Sequence, residues 1–169
     1  KNIRKIFSKF TEDIISKKNY GIDGCSAPQY AFTIEKLGKA LSNLLNSYNG
    51  NFEYSENIQT MINAILDNPK FIGGSNNLDS NLIRVSNRKI FCKGGAEGVF
   101  LFVHLKKEIF GILKVKDGNE RALSSAMYEL LKKFKILTRE ELNQFNFWNT
   151  SSMYNHAKIK IGSINTKIE

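Results

Sequence analysis

The stretch Ile90-Phe91-Cys92-Lys93-Gly94-Gly95-Ala96-Glu97-Gly98-Val99-Phe100-Leu101-Phe102-Val103 decides the fold. Its two apolar runs have the composition of β-strands, and between them lie three glycines with one lysine and one glutamate. Glycine weakens a strand unless the strand bulges or another group must approach its backbone closely. The stretch therefore predicts either a binding site that carries Lys93 and Glu97, or a glycine-rich hairpin connection with both charges in water.

Patterns on either side predict helices, then strands, then a helix. Apolar residues at helical spacing and capping residues predict helices at 2–15, after Thr33, after Ser55, from Asp79 through Ile83, at 123–134 and after the Thr138 capping box. Strands are predicted at 89–92, 99–105 and 109–115, with a returning strand near Ile161; residues 20–28 and 71–77 are predicted loops. This order predicts the α+β class in a single domain, residues 1–169.

Composition narrows the classes of partner. The net charge is +9, but 20 of the 25 basic residues are scattered lysines without an arginine cluster, so no nucleic-acid partner is expected. No apolar run approaches the length of a membrane span, and no membrane partner is expected. The two cysteines, Cys25 and Cys92, form no metal-ligand spacing, and a reducing cytoplasmic location is predicted.

Asp23-Gly24-Cys25 places a carboxylate next to a thiol in a glycine-rich segment. Cys25 is predicted to be a small buried thiol that packs the loop rather than a nucleophile, because neither histidine of the chain is tied to it. Asp23 is suited to holding an ammonium group or fixing loop amides, and an Asx-type turn is the alternative.

Two further patterns each have alternative interpretations, and a third is interpreted as a coincidental motif match. Lys93 is suited to anchoring a substrate carboxylate or to acting as a base, and Glu97 to pairing with Lys93 or with a substrate amine. The Gly73–Ser80 segment is either an anion cradle of backbone amides or a plain connection. Ser86-Asn87-Arg88-Lys89 matches Ser-x-x-Lys, but Lys89 leads into a strand, so the match is interpreted as coincidence.

Four segments in order carry a family resemblance. They are Gly21-Ile22-Asp23-Gly24-Cys25-Ser26-Ala27-Pro28, the Gly73–Ser80 loop, Lys93-Gly94-Gly95-Ala96-Glu97-Gly98-Val99, and Gly111–Gly118 with Arg121-Ala122. The chain resembles the bacterial L-asparaginase II family, the thermolabile rhizobial-type asparaginases. The resemblance implies an antiparallel sheet with packed helices, similar to serine β-lactamases and serine-dependent glutaminases.

The resemblance also implies an activity and site residues. The implied reaction converts L-asparagine and water to L-aspartate and ammonia through a serine acyl-enzyme. Lys93 is the implied catalytic lysine, and Asp23, Gly24, Cys25, Gly94, Gly95 and Glu97 are the implied substrate-binding residues. A serine-dependent glutaminase and a non-catalytic binding or scaffold remnant of the fold are the alternatives.

Two departures and one expected gap accompany the resemblance. The family usually has glycine where this chain has Ser26, and arginine where it has Asn77. Its Ser-x-x-Lys nucleophile, and a segment with zinc ligands in some members, precede the part seen here. The chain is therefore expected to be a C-terminal portion that is inactive alone, with no cofactor or metal ligands of its own. A separate N-terminal half or a homodimer is left open as partner.

Overall fold

The computed structural model describes residues 2–169, without the side chain of Lys17. The chain forms two compact units, Lys1–Ile62 and Asn63–Glu169, and the boundary falls within the third helix. In the part of the chain that is described, no helix is both long and apolar enough to cross a membrane.

The described residues of the first unit form three α-helices, a short 3-10 helix (Lys17–Asn19) and a small hairpin. Its elements are α1 (Asn2–Thr11), β1 (Tyr20–Ile22), β2 (Pro28–Tyr30), α2 (Ile34–Tyr48) and α3 (Ser55–Asp67), which enters the second unit. The helix predicted to reach residue 15 ends at Thr11, because Glu12 takes the left-handed conformation with φ of 49°. The predicted cap of α2 is confirmed, since the Thr33 hydroxyl accepts the Lys36 N–H.

The second unit combines helices with antiparallel strands. Its helices are α4 (Lys70–Gly73), α5 (Leu78–Val85), α6 (Leu123–Lys133) and α7 (Arg139–Phe145). Its strands are β3 (Ile90–Gly95), β4 (Val99–His104), β5 (Ile109–Lys114), β6 (Ser151–Tyr154) and β7 (Lys160–Ile164). The main sheet has the order β3-β4-β5, and β6 and β7 form a separate ribbon. The predicted α+β class, the predicted tail strand and the Thr138–Glu141 capping box of α7 are confirmed.

Strand β3 runs from the core to the surface. Its first half, Ile90–Cys92, is fully or nearly fully buried, whereas Lys93 and Gly95 are exposed and Gly94 is half-buried. Phe100 and Phe102 of β4 are also buried beside β3. Burial of these apolar side chains stabilises the sheet and fixes where β3 emerges at Lys93.

Other predicted boundaries also differ from the structure: α3 begins at Ser55 itself, and β3 continues past Cys92 to Gly95. The loop predicted at 20–28 is a hairpin, because the Asp23 N–H donates to Ala27 O at 2.9 Å and closes a short turn between β1 and β2. The loop predicted at 71–77 contains most of α4. Asp79 does not cap α5: Asn77 is the N-cap, and Asp79 lies in the first turn.

Candidate functional site

A cleft of about 860 Å³ opens in the second unit beside the glycine-containing half of β3. Segments distant in sequence line it: α4 with the following loop, the start of α5, the end of β3, the start of α6 and the start of β6. Its charged and hydroxyl-bearing lining residues are Asp79, Lys93, Glu120, Arg121, Ser124 and Ser151. Phe71, Phe100 and Trp148 supply aromatic surface, so the cleft joins apolar walls to a few polar groups, as small-molecule sites do.

Lys93, Gly94 and Gly95 lie together on the cleft wall. Only the last part of this stretch forms the hairpin turn, and its role as a binding site stays a prediction. Lys93-Gly94-Gly95 continue strand β3, and the turn is formed by the next three residues, with positive φ at Glu97 and Gly98. The Lys93 ammonium lies 3.7 Å from Asp79 Oδ2 and also donates to the Gly94 carbonyl.

Asp79 is the buried charge of the site, with 5% of its surface exposed. Its Oδ1 accepts the Ser80 N–H at 2.9 Å, and its Oδ2 lies 3.4 Å from the Gly94 N–H. A buried carboxylate is costly unless charges and N–H donors compensate it, and here both do.

The thiol of Cys92 lies behind this group. It donates to the Asp79 carbonyl at 3.4 Å. Complete burial raises the pKa of the Cys92 thiol well above its usual range, the Asp79 carboxylate raises it further, and Lys93 lowers it slightly. Cys92 is therefore a protonated packing group and not a nucleophile.

Arg121, Ser124 and Ser151 also line the cleft. Arg121 donates to Asp117 Oδ2 at 3.0 Å, and the hydroxyls of Ser124 and Ser151 lie 3.0 Å apart. The cleft lining thus contains two cations, Lys93 and Arg121, and two anions, Asp79 and Glu120.

Glu97 lies in the turn after β3, outside the residues that line the cleft. Its carboxylate lies against Gly118, where an added Cβ would be 2.5 Å from Oε2. Its backbone carbonyl accepts the Lys114 ammonium at 2.7 Å. The carboxylate partner of Lys93 in the structure is Asp79 rather than Glu97.

Asp23, Gly24 and Cys25 belong to the turn of the β1–β2 hairpin in the first unit. Asp23 accepts the Gly24 N–H at 2.6 Å and the Gln29 side-chain amide at 3.2 Å, and the Cys25 thiol lies 3.7 Å from Oδ2. The prediction of a buried Cys25 thiol is wrong, because the residue lies exposed in this turn. Of the alternatives for Asp23, the loop-fixing turn is the one present in the structure. A substrate contact of these three residues stays a prediction that rests on the resemblance.

Ser86 and Lys89 have structural partners, as expected for a coincidental Ser-x-x-Lys match. The buried Ser86 hydroxyl donates to Ile83 O at 3.0 Å and accepts the Ile90 N–H at 3.2 Å. Lys89 pairs with Glu141.

The side chains of residues 2–169, Lys17 apart, contain no group of three His, Cys, Asp or Glu that fits a metal ion. The zinc that the resemblance implies for some family members therefore does not fit these residues alone, and no step of the reaction is derived through it.

Sequence reasoning missed Asp79 as a site residue and also missed Glu120, Ser124, Trp148 and Ser151. One signal for Asp79 was available in the sequence. Asp79 lies between the glycine pair Gly73-Gly74 and the apolar pair Leu82-Ile83, which indicates that its helix is packed on one side. Glu120, Ser124, Trp148 and Ser151 carry no comparable signal, because only the fold brings their elements to the cleft.

Comparison with known proteins identifies the family. No curated protein matches the chain significantly. The family model described as L-asparaginase II matches residues 1–166, nearly the whole chain. The match includes the strand that carries Lys93, the α5 turn that carries Asp79 and the Asp23 hairpin. The chain therefore belongs to the L-asparaginase II family.

Proposed function

We propose that this protein is an amidohydrolase that converts L-asparagine and water to L-aspartate and ammonia, and that the cleft beside β3 is where the substrate binds. Family membership suggests a hydrolase acting on asparagine. The observation that carries the proposal is the arrangement of Lys93 beside the glycine pair of β3 at the wall of this cleft.

The charges of the cleft suit an amino acid. Asparagine carries an ammonium and a carboxylate a few ångströms apart, and the cleft offers Lys93 and Arg121 as cations and Asp79 and Glu120 as anions. Cationic side chains bind carboxylates by charge-assisted hydrogen bonds, and carboxylates bind ammonium groups in the same way. Gly94 and Gly95 leave room for the substrate to lie against the backbone of β3.

The chemistry is acyl transfer. A serine oxygen attacks the side-chain amide carbon, the C–N bond breaks, and the nitrogen leaves as ammonia after receiving a proton. Water then attacks the acyl carbon, which releases aspartate and returns the proton to the serine. Lys93 takes part by accepting the nucleophile's proton or by polarising it; the first role requires a neutral amine. The resemblance implies that the nucleophilic serine belongs to a Ser-x-x-Lys pair.

The test is Lys93→Ala in the intact gene product, with Lys132→Ala as the control. Lys132 is an exposed lysine of α6 that pairs with Glu129. Loss of a proton-transfer group typically lowers the rate about 10²–10⁴-fold, so we expect ammonia release from L-asparagine to fall by that factor in Lys93→Ala alone. Unchanged release in Lys93→Ala would overturn the proposal.

The same assay separates the alternatives. Faster release from L-glutamine than from L-asparagine would identify a glutaminase, because the two substrates differ by one methylene and pocket shape sets the preference. Binding of L-asparagine without ammonia release would identify a non-catalytic binding protein. Calorimetric titration with both amino acids completes the comparison.

A further inference from the structure

We propose that Asp79 is the positioning residue of Lys93: its buried carboxylate holds the lysine ammonium against the edge of β3 and so presents it to the cleft. The inference rests on the proposed function for its catalytic meaning, because Lys93 is the implied catalytic lysine. The contacts of Asp79 with Lys93 and Gly94 do not depend on that function, and they are tested without measuring hydrolysis.

Asp79 and Lys93 have opposite environments. Asp79 is 5% exposed, whereas 45% of the Lys93 side chain is exposed. An exposed lysine adopts many rotamers, and ordering it costs conformational entropy. The fixed partner is therefore the carboxylate, and the mobile lysine is the group that it positions.

The fold places Asp79 so that its carboxylate has little freedom. The Ser80 hydroxyl donates to Pro69 O at 2.9 Å and ties the first turn of α5 to the residue before α4. The side-chain amide of Asn77, the N-cap of α5, donates to the Gly73 carbonyl. These contacts close the segment from Pro69 to Ser80 around Asp79.

Gly73 makes room for the carboxylate. A Cβ added at Gly73 would lie 1.9 Å from Asp79 Oδ1 and 2.6 Å from its Cγ, well inside van der Waals contact. Any larger residue at position 73 would displace the carboxylate. Gly73 is therefore needed for Asp79 to reach β3. The Gly73–Ser80 segment thus surrounds the Asp79 carboxylate.

Asp79 and Lys93 both meet the backbone of Gly94. In an antiparallel ladder the N–H and C=O of one residue point to the same side. The Gly94 N–H points to Asp79 Oδ2, and its C=O accepts the Lys93 ammonium, so both groups face away from β4. Asp79, Gly94 and Lys93 thus form one closed contact at the free edge of β3.

The contact between Asp79, Gly94 and Lys93 explains what restrains the Lys93 side chain, which the sequence alone left open. Lys93 lies on a strand whose neighbouring glycines offer no side chain to restrain it. Asp79 provides that restraint. It lies in α5, 14 residues earlier in the chain.

The first experiment measures the reactivity of Lys93 in the folded chain. The protein is labelled briefly with an acetylating reagent, and acetylation of each lysine is quantified by peptide mass spectrometry. The reagent requires a neutral amine that is free of its carboxylate. The variants are Asp79→Asn, which removes the charge and keeps the shape, and Gly73→Ala, which keeps the charge and displaces the carboxylate. Glu129→Gln is the matched control, because it removes the carboxylate partner of Lys132.

Asp79→Asn and Gly73→Ala are expected to increase the labelling rate of Lys93 about 2- to 5-fold, the factor that loss of a partly exposed ion pair produces. Lys132 is expected to keep its rate in both. Glu129→Gln is expected to leave Lys93 unchanged. Equal Lys93 labelling in wild type and Asp79→Asn, with native circular dichroism, would overturn the proposal.

A second measurement needs no variant and holds if Asp79→Asn fails to fold. In the NMR spectrum of the wild-type chain, a held lysine has two distinct ε-proton shifts, whereas a freely rotating one has averaged shifts. Distinct ε-proton shifts are expected for Lys93, in contrast to the exposed Lys158. Averaged Lys93 shifts would overturn the proposal. Neither readout requires turnover, so failure of asparagine hydrolysis and failure of this positioning role are distinguished.

Discussion

Two carboxylates next to glycines, Asp23 and Asp79, behave in opposite ways in this chain. Asp23 is exposed, and its contacts stay within six residues, from Gly24 to Gln29. Asp79 is buried, and it reaches Gly94 and Lys93 on another element. The exposed carboxylate organises its own turn, whereas the buried one joins a helix to the strand of the candidate site.

The difference shows how burial distinguishes a turn-forming carboxylate from a site-forming one. An Asp that accepts the next N–H closes a local turn at little cost, because water solvates the rest of the group. A buried Asp requires donors and cations from elsewhere in the fold, which places those partners as well. The glycine-containing segments around Asp23 and Asp79 look alike in sequence, but only Asp79 is buried and draws partners from another element.

The largest expected effect is the difference in thiol labelling rate between the two cysteines. Cys25 is exposed in the Asp23 turn, whereas Cys92 is fully buried behind Asp79, with a thiol pKa raised by burial. We expect a thiol reagent at neutral pH to label Cys25 at least about 100-fold faster, because Cys92 reacts only when the unit opens. Timed labelling with mass spectrometry measures both rates; comparable rates would contradict the burial of the Asp79 region.

Alanine substitution of each carboxylate compares their contributions to stability. We expect Asp79→Ala to lower the free energy of unfolding by about 2–3 kcal/mol, less than for a fully buried pair because Lys93 is half exposed. Asp23→Ala is expected to lower it by at most about 1 kcal/mol, the value of local hydrogen bonds. Urea unfolding followed by circular dichroism measures both, and equal losses would break the comparison.

Glycine-to-alanine substitutions test how tightly each carboxylate is enclosed. Gly73→Ala is expected to lower the free energy of unfolding by about 1–3 kcal/mol, because the new Cβ would overlap Asp79 Oδ1. At Gly24 an added Cβ meets nothing within 4 Å, so Gly24→Ala is expected to change stability by less than about 0.5 kcal/mol. Thermal unfolding of the two variants in parallel measures this. A neutral Gly73→Ala would show that Asp79 is free to move.

The smallest expected effect lies at Ser26, where this chain departs from the family's usual glycine. Ser26 has φ of 66°, the left-handed region in which a side chain is strained. Ser26→Gly is therefore expected to raise the free energy of unfolding by about 0.5–1 kcal/mol, partly offset by a more flexible unfolded chain. Ser80→Gly, in a helix, is the contrasting variant and is expected to destabilise. A destabilising Ser26→Gly would refute the strain at this turn.

Much of the fold follows from local patterns. Thr33 and the Thr138–Glu141 box start helices through contacts within three residues, and the strand composition of 99–103 is unambiguous. The predicted loop at 20–28 was wrong because the strands of its hairpin are only three residues long and have no alternating apolar pattern. Asp79 was assigned as a cap because sequence cannot distinguish an N-cap from a first-turn residue when Asn77 also fits.

The candidate site was only half predictable. Lys93, Gly94 and Gly95, which line the cleft, were predicted as site residues because glycine inside an apolar strand is locally unfavourable and requires a reason. Asp79, Ser124 and Ser151 reach the cleft through tertiary packing of α5, α6 and β6, for which single residues carry no local signature.

Binding at the glycine strand is the most direct test of the central claim that the cleft beside β3 holds the amino acid. The measurement is a titration of the ¹⁵N-labelled chain with L-aspartate, the proposed product, with glycine amide shifts read by NMR. We predict saturable shifts at Gly73, Gly94 and Gly95, and none at Gly50, which ends α2 in the other unit. Shifts at Gly24 would show that the Asp23 turn also contacts the ligand. Unshifted Gly94 and Gly95 amides at saturating L-aspartate would contradict the account.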